Sequence, residues 1–279
     1  MSTTIAASPS VAPAFVTSSD GTRIGYWRSG SGPPLVMVHG GLADHTTLAR
    51  LVPLLDSRLT VYAVDRRGRG ASGDGRNHAI EREYDDVAAV VHAAARDCGG
   101  PVALYGHSFG ATCALGAGLR AHGVGRLILY EPAFRGVFDY PAGLLDRVTA
   151  LVAAGRADEA LTVAFRERVG VSAAELDALR ALPSWAARIG SAATMPRELR
   201  LDATLAFDPA PYTTCTTPTR LLLGEASPAG QRSVVRSIAS ALPDGRIVVL
   251  PGQGHMAQAT APDLVADAVL GFVAEPAGS

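Results

Sequence analysis

The sequence has no lysine. All 25 of its basic residues are arginine, and they face 26 acidic ones, for a net charge of −1 with histidine neutral. That balance gives no electrostatic basis for holding nucleic acid or an anionic membrane surface. In a chain so rich in Ala and Gly the missing lysine fits a coding bias and carries no functional reading. Cysteine is scarce as well. Cys98, Cys113 and Cys215 are odd in number and widely spaced, which excludes a disulfide framework and the paired spacing of a zinc site. Buried thiols in a reducing compartment are the expectation. No apolar run approaches the ~18–20 residues that a membrane-spanning helix needs. Residues 1–13 are small and polar with two prolines. They lack the basic and apolar regions of a secretory signal and are expected to be disordered. These absences point to a soluble cytoplasmic protein.

What is present describes a buried core. Hydrophobic residues make up 48% of the chain and charged residues 18%, a globular rather than a disordered balance. A length of 279 residues suits one α/β domain carrying an insertion. Phe15–Thr17 and Arg23–Trp27 flank Ser19-Asp20-Gly21, and Asp-Gly between extended runs signals a hairpin. Short runs rich in Val, Leu and Ile follow at 34–38, 59–64, 102–105, 126–130, 220–223 and 246–250. They do not alternate with polar residues, as expected of strands buried on both faces. Helical spacing separates most of them, at 81–95, 109–121, 231–241 and 263–272. Strands alternating with helices imply an α/β fold: a mostly parallel central sheet with helices on both faces. In such sheets the chemistry gathers at the carboxyl ends of the strands.

The rhythm breaks between 134 and 215. Segments 144–153, 157–169 and 173–182 have amphipathic helical spacing, punctuated by Pro141, Pro183 and Pro196, with no strand among them. The expected organisation is a core of residues 1–133 and 216–279 with an inserted helical cap, 134–215, over the strand ends.

Three motifs fall at those ends. Gly106-His107-Ser108-Phe109-Gly110 follows a strand and opens a helix. Such a turn must be tight to raise a serine hydroxyl above the sheet, so its neighbours must be small, and the helix start supplies free N–H groups. Ser108 is therefore the candidate nucleophile. His39-Gly40-Gly41 ends the strand at 34–38, where a loop N–H can join that of Phe109 in an oxyanion hole. His39 itself suits a structural hydrogen bond better than a base. His255 lies in Pro251-Gly252-Gln253-Gly254-His255 after the last strand. It is the one histidine in the right chain order to serve Ser108 as general base. His45 and His107 are further candidates to face the pocket.

On these motifs, and on Asp65-Arg66-Arg67-Gly68-Arg69-Gly70-Ala71-Ser72 after the second parallel strand, the chain resembles the α/β-hydrolase superfamily over essentially everything after Phe15. The likeness is to its capped, serine-nucleophile, esterase- or lactonase-like members. It implies Ser108 as nucleophile, His255 as base, and the Gly41 and Phe109 amides as oxyanion donors. One departure stands out. The family's acid usually follows the strand after the cap in a Gly-x-x-Asp pattern, and here that segment is Gly224-Glu225-Ala226-Ser227. Two substitutes are available, Glu131 and Glu225. Glu131 ends the strand next to that of Ser108, about 4.8 Å away, and some family members place their acid there. Pro132 is expected to hold it extended. Glu131 is the preferred candidate, with Glu225 the alternative.

The resemblance implies hydrolysis of an ester, thioester or lactone of a small apolar substrate through an acyl-enzyme, with no metal or organic cofactor. The displaced acid leaves open a specialised acyl-transfer, cyclising or lactone-forming enzyme on the same fold, and a non-catalytic small-molecule binder is a third reading. Phe134, Phe138, Tyr140, Phe165, Trp185 and Phe207 are candidates to line an apolar pocket, with Tyr130 and Met256 at its edge. The partner expected is a small acyl compound, with no nucleic acid or membrane. The outer face of the cap is a candidate homodimer surface.

Overall fold

β1 (Ala14–Thr17) and β2 (Arg23–Ser29) form the antiparallel hairpin that Asp20-Gly21 signals, with Gly21 at φ 84°. These elements come from a computed structural model that describes residues 12–137 and 140–276. The expectations for the first eleven residues and for Phe138 therefore lie outside the described residues. β3 (Pro34–Val38), β4 (Thr60–Val64), β5 (Val102–His107), β6 (Val124–Tyr130), β7 (Thr219–Gly224) and β8 (Gly245–Leu250) run parallel. The single sheet has the order β1-β2-β4-β3-β5-β6-β7-β8.

Helices cover both faces, because alternate side chains of each central strand point to opposite sides. Val36, Val38, Leu104, Leu129 and Leu221 face one apolar cluster, built with α2 (Ile80–Cys98), α3 (Phe109–Gly118) and, later in the chain, residues 229–241. Leu35, Met37, Tyr105, Ile128 and Leu222 face the other, built with α1 (Val52–Leu55) and residues 262–274. Truncating a central side chain such as Leu104, which has no exposed surface, would cost about 2–5 kcal/mol. β8 departs from the expectation of burial on both faces. It is the edge strand, and Ile247 and Val249 are exposed while Leu250 is buried.

Between β6 and β7 the chain is helical: α4 (Leu144–Ala153), α5 (Ala157–Val163), α6 (Ala173–Arg180), α7 (Ser184–Gly190) and α8 (Met195–Thr204). The helix expected over 157–169 is α5 continued by a wider π-helical turn, Ala164–Val169, and ended by Gly170 at φ 78°. α7 and α8 lie beyond the three expected segments. The cap has its own core, including Val148, Leu161, Phe165, Trp185 and Leu199, and Leu42 from the loop after β3 inserts into it. α9 (Ala229–Ala241), α10 (Ala257–Thr260) and α11 (Pro262–Ala274) complete the chain. Among the described residues no helix is long and apolar enough to cross a membrane.

Candidate active site

β5 ends at His107 and α3 begins at Phe109, so Ser108 alone makes the turn, at φ 54°. The flanking glycines are sterically required. A Cβ on Gly106 would fall on the Gly110 carbonyl oxygen, and one on Gly110 would fall on the His39 carbonyl oxygen. Among the described residues, the non-glycine residues in the left-handed region are Leu42, Ser108 and Glu131. All three lie just beyond the carboxyl ends of strands. Such backbone is costly and persists where the surroundings over-determine it.

The register of β5 on β6 pairs His107 with Tyr130, so Ser108 and Glu131 leave adjacent strands side by side. The His255 ring bridges them. Its Nε2 lies 3.0 Å from Ser108 Oγ, and its Nδ1 lies 2.7 Å from Glu131 Oε2. Glu131 has no exposed surface. Its other oxygen accepts the Gly224 N–H at 2.7 Å and the Ser227 hydroxyl at 2.5 Å. The structure thus gives Ser227 a role the sequence did not suggest: it donates to the carboxylate. Glu225 is turned outward, exposed, and accepts the Gly252 N–H at 2.8 Å. The expectation that Pro132 holds Glu131 extended is corrected, since Glu131 has φ 48°. The tight turn aims the carboxylate along the strand ends toward His255, and the bonds from Gly224 and Ser227 offset its strain.

The His255 loop is pinned from below. The Tyr130 hydroxyl donates to the Gly254 carbonyl and accepts the Ala257 N–H, so Tyr130, wholly buried, anchors this loop rather than edging the pocket. His107 Nε2–H donates to the His255 carbonyl at 2.8 Å, and its Nδ1 accepts from the Gln258 amide. Burial, and then the adjacent His255, push His107 well below the usual histidine range. It is a neutral support. His45 does not face the pocket. It stacks on Trp27 and bonds Asp65 at 2.7 Å. Burial would raise Asp65, but bonds from His45, Ala71 and Trp27 bring it to about 2. With Asp44 these side chains are close enough to suggest a metal cage, yet Asp65 accepts four N–H groups and Asp44 caps Thr46.

The loop after β3 is held by charge. His39 Nδ1–H donates to the Gly40 carbonyl and Nε2 accepts the Arg66 N–H, which makes His39 structural. Burial, then Arg66 and Arg69, hold it neutral. The Arg66 guanidinium donates to the Gly40 carbonyl at 3.1 Å, forks onto Glu83 at 2.9 and 3.0 Å, and lies 4.3 Å from the Phe109 ring centre. Glu198, from α8 of the cap, pairs with Arg66 and Arg69 and accepts the Leu42 N–H at 3.0 Å. Burial would raise Glu83, but Arg66 keeps it well below the usual carboxylate range. Among the described residues, the Gly41 and Phe109 amides donate to no other group.

Over Ser108 lies a narrow cleft, with Gly41, Leu42, Thr47, His255, Met256 and Gln258 from the core and Phe165, Arg168 and Arg188 from the cap. The expected apolar lining is corrected in part: Phe165 and Met256 line the cleft, whereas Phe134, Tyr140, Trp185 and Phe207 do not. Phe134 and Phe207 belong to the core cluster under α3, Trp185 to the core of the cap, and Tyr140 packs on Arg168. Arg168, Arg188 and Glu198 were not legible as site residues, though a signal existed. Arg188 stands three residues after the buried Trp185, and Glu198 stands between Met195 and Leu199 on the same buried face. A charge at a core position of an amphipathic helix demands a partner.

Residues 35–268 match the model of the Alpha/beta hydrolase family. The chain belongs to that family. It is similar to the 2-(acetamidomethylene)succinate hydrolase of Mesorhizobium japonicum, 28% identical over 88% of this chain and 89% of that one. Among solved structures, an alpha/beta hydrolase from Sphaerobacter thermophilus superposes with TM-score 0.81 at 35% identity, covering 93% of this chain and all (100%) of the other. A carboxylesterase from Bacillus subtilis gives TM-score 0.72 at 19% identity over 94% and 91% of the two chains, a likeness of fold alone. Members of this alpha/beta hydrolase family with such names are hydrolases, and the strand ends are where the fold carries its chemistry.

Proposed function

We propose that the protein is a serine hydrolase that cleaves an ester, thioester or lactone of a small substrate through a Ser108 acyl-enzyme. The observation that carries this reading is the continuous run Ser108 Oγ, His255 Nε2, His255 Nδ1, Glu131 Oε2, at 3.0 and 2.7 Å. His255 takes the hydroxyl proton as Ser108 attacks the acyl carbon, and Glu131 holds the ring in the required tautomer and balances the imidazolium. The Gly41 and Phe109 amides receive the oxyanion, usually the largest electrostatic contribution. His255 returns its proton to the leaving group, then activates a water that cleaves the acyl-enzyme. Each proton passes between the chain's own groups, the substrate and water. The hydrolase names among the relatives support the reaction class.

The test is Ser108→Ala with a 4-nitrophenyl ester, together with labelling of the native protein by a fluorophosphonate. Turnover should fall by about 10⁴-fold or more with the circular dichroism spectrum unchanged, and the label should sit on Ser108. Retained turnover in the variant would contradict the proposal. Labelling without hydrolysis of any ester would instead favour acyl transfer to another acceptor.

A further inference from the structure

The cleft holds a charge that the hydrolytic steps leave unused. Six arginines are buried among the described residues: Arg66, Arg67, Arg69, Arg168, Arg188 and Arg220. Five have a carboxylate within pairing distance: Arg66 has Glu83, Arg67 has Asp86, Arg69 and Arg168 have Glu198 and Asp202, and Arg220 has Glu275. Arg188 has none among the described residues. Its one hydrogen bond there runs from Nη1 to the Leu42 carbonyl, at 2.6 Å, and its guanidinium carbon lies 5.1 Å from the centre of the Phe165 ring. Among the described residues its Nε and Nη2 groups have no acceptor. Burial pushes Arg188 down to about 10, with only the more distant Asp44 opposing, so it stays charged at neutral pH. An uncompensated buried cation is costly, and an apolar side chain beside Phe165 and Trp185 would stabilise the cap better.

The position of this charge matters. Arg188 lines the same cleft as Ser108 and His255. It is fixed to Leu42, the residue after Gly41, whose amide faces the reacting carbonyl in the proposed mechanism. A guanidinium with a free N–H edge binds a carboxylate in a planar, two-point fork. We infer that Arg188 anchors a substrate carboxylate, so that the substrate is a small carboxylic acid whose scissile acyl bond lies a few bonds from the anchored group. This rests on the acyl-enzyme reading above, and it replaces the apolar substrate expected from the sequence with an acidic one. Arg168 lines the cleft too, but its charge is matched by Asp202. Arg188 is therefore the anchor.

The experiment compares mono-(4-nitrophenyl) glutarate with 4-nitrophenyl butyrate. In the native protein kcat/KM should favour the acidic ester by tenfold or more, mainly through KM. In Arg188→Met that ratio should fall at least tenfold whichever way the absolute rates move, and Arg188→Lys should recover part of it. A second measurement needs no variant: glutarate should slow fluorophosphonate labelling of native Ser108, and dimethyl glutarate should not. Equal protection by the two, or a ratio that Arg188→Met leaves unchanged, overturns the anchor while Ser108 chemistry stands. No labelling and no turnover of either ester overturns the acyl-enzyme reading and the anchor with it.

Discussion

Arg66 and Arg188 donate to carbonyls of the same loop, Gly40 at 3.1 Å and Leu42 at 2.6 Å, and both are almost fully buried. Arg66 faces two carboxylates, Glu83 and Glu198. Arg188 lines the narrow cleft over Ser108 and pairs with no carboxylate among the described residues. Arg66 is scaffolding: its charge is cancelled on the spot, and the cluster ties core helix α2, the loop after β3 and cap helix α8 into one unit. Arg188 is a charge held ready, tolerated because something outside the chain completes it. A buried ion with its counter-charge speaks to architecture; one without it speaks to binding.

The distinction can be broken at Glu198. Glu198→Ala would strand Arg66 and Arg69 on Glu83 alone and free the Leu42 N–H. The expected loss is about 3–5 kcal/mol in urea unfolding, against a change within about 1 kcal/mol for Arg188→Met, where a desolvation cost is relieved as one bond is lost. Equal losses for the two variants would erase the difference between scaffold and anchor.

Glu131 extends the comparison, because a backbone N–H and a hydroxyl, rather than an arginine, satisfy its inner oxygen. Ser227→Ala removes one donor but leaves the Gly224 N–H. Turnover of a 4-nitrophenyl ester should drop about tenfold, the worth of one hydrogen bond to a charged group. Ser227→Asp should cost more, by setting a second carboxylate against the first.

The smallest effect concerns the neutral members of the site. Burial holds His39 and His107 well below their usual value of 6.5. Below pH 6.5 the unfolded chain takes up protons that the folded chain refuses. Stability should therefore be intact above 6.5 and decline as the pH falls beneath it, by up to about 1.4 kcal/mol per pH unit for each histidine. His107→Gln should flatten that slope by up to one proton, measurable as denaturant stability between pH 7 and 5. An unchanged slope would mean that His107 titrates normally.

How much of this was legible beforehand follows from the range of the forces involved. The parallel sheet and the Ser108 elbow could be read because apolar runs and tight glycines act locally, and the same holds for the His39-Gly40-Gly41 loop. His255 could be placed by chain order. The pairing of Glu131 with Ser227, 96 residues apart, could not, since it depends on the register of β6 on β7 and on an unusual backbone turn. Nor could the burial of Arg188 or the exposure of β8, which are set by how the cap and the sheet edge meet their neighbours. Phe134 and Phe207 were aromatic and plausible, but aromatic character alone does not separate a pocket wall from a core.

In the proposed mechanism the acid serving His255 stands at Glu131 and not in the segment after β7. The most direct measurement compares kcat/KM of Glu131→Gln and Glu225→Gln on one ester, with fluorophosphonate labelling of Ser108 to confirm an intact site. A fall of about 10³–10⁴-fold is expected for Glu131→Gln and little change for Glu225→Gln. Full activity in Glu131→Gln, with the loss appearing in Glu225→Gln, would contradict that placement.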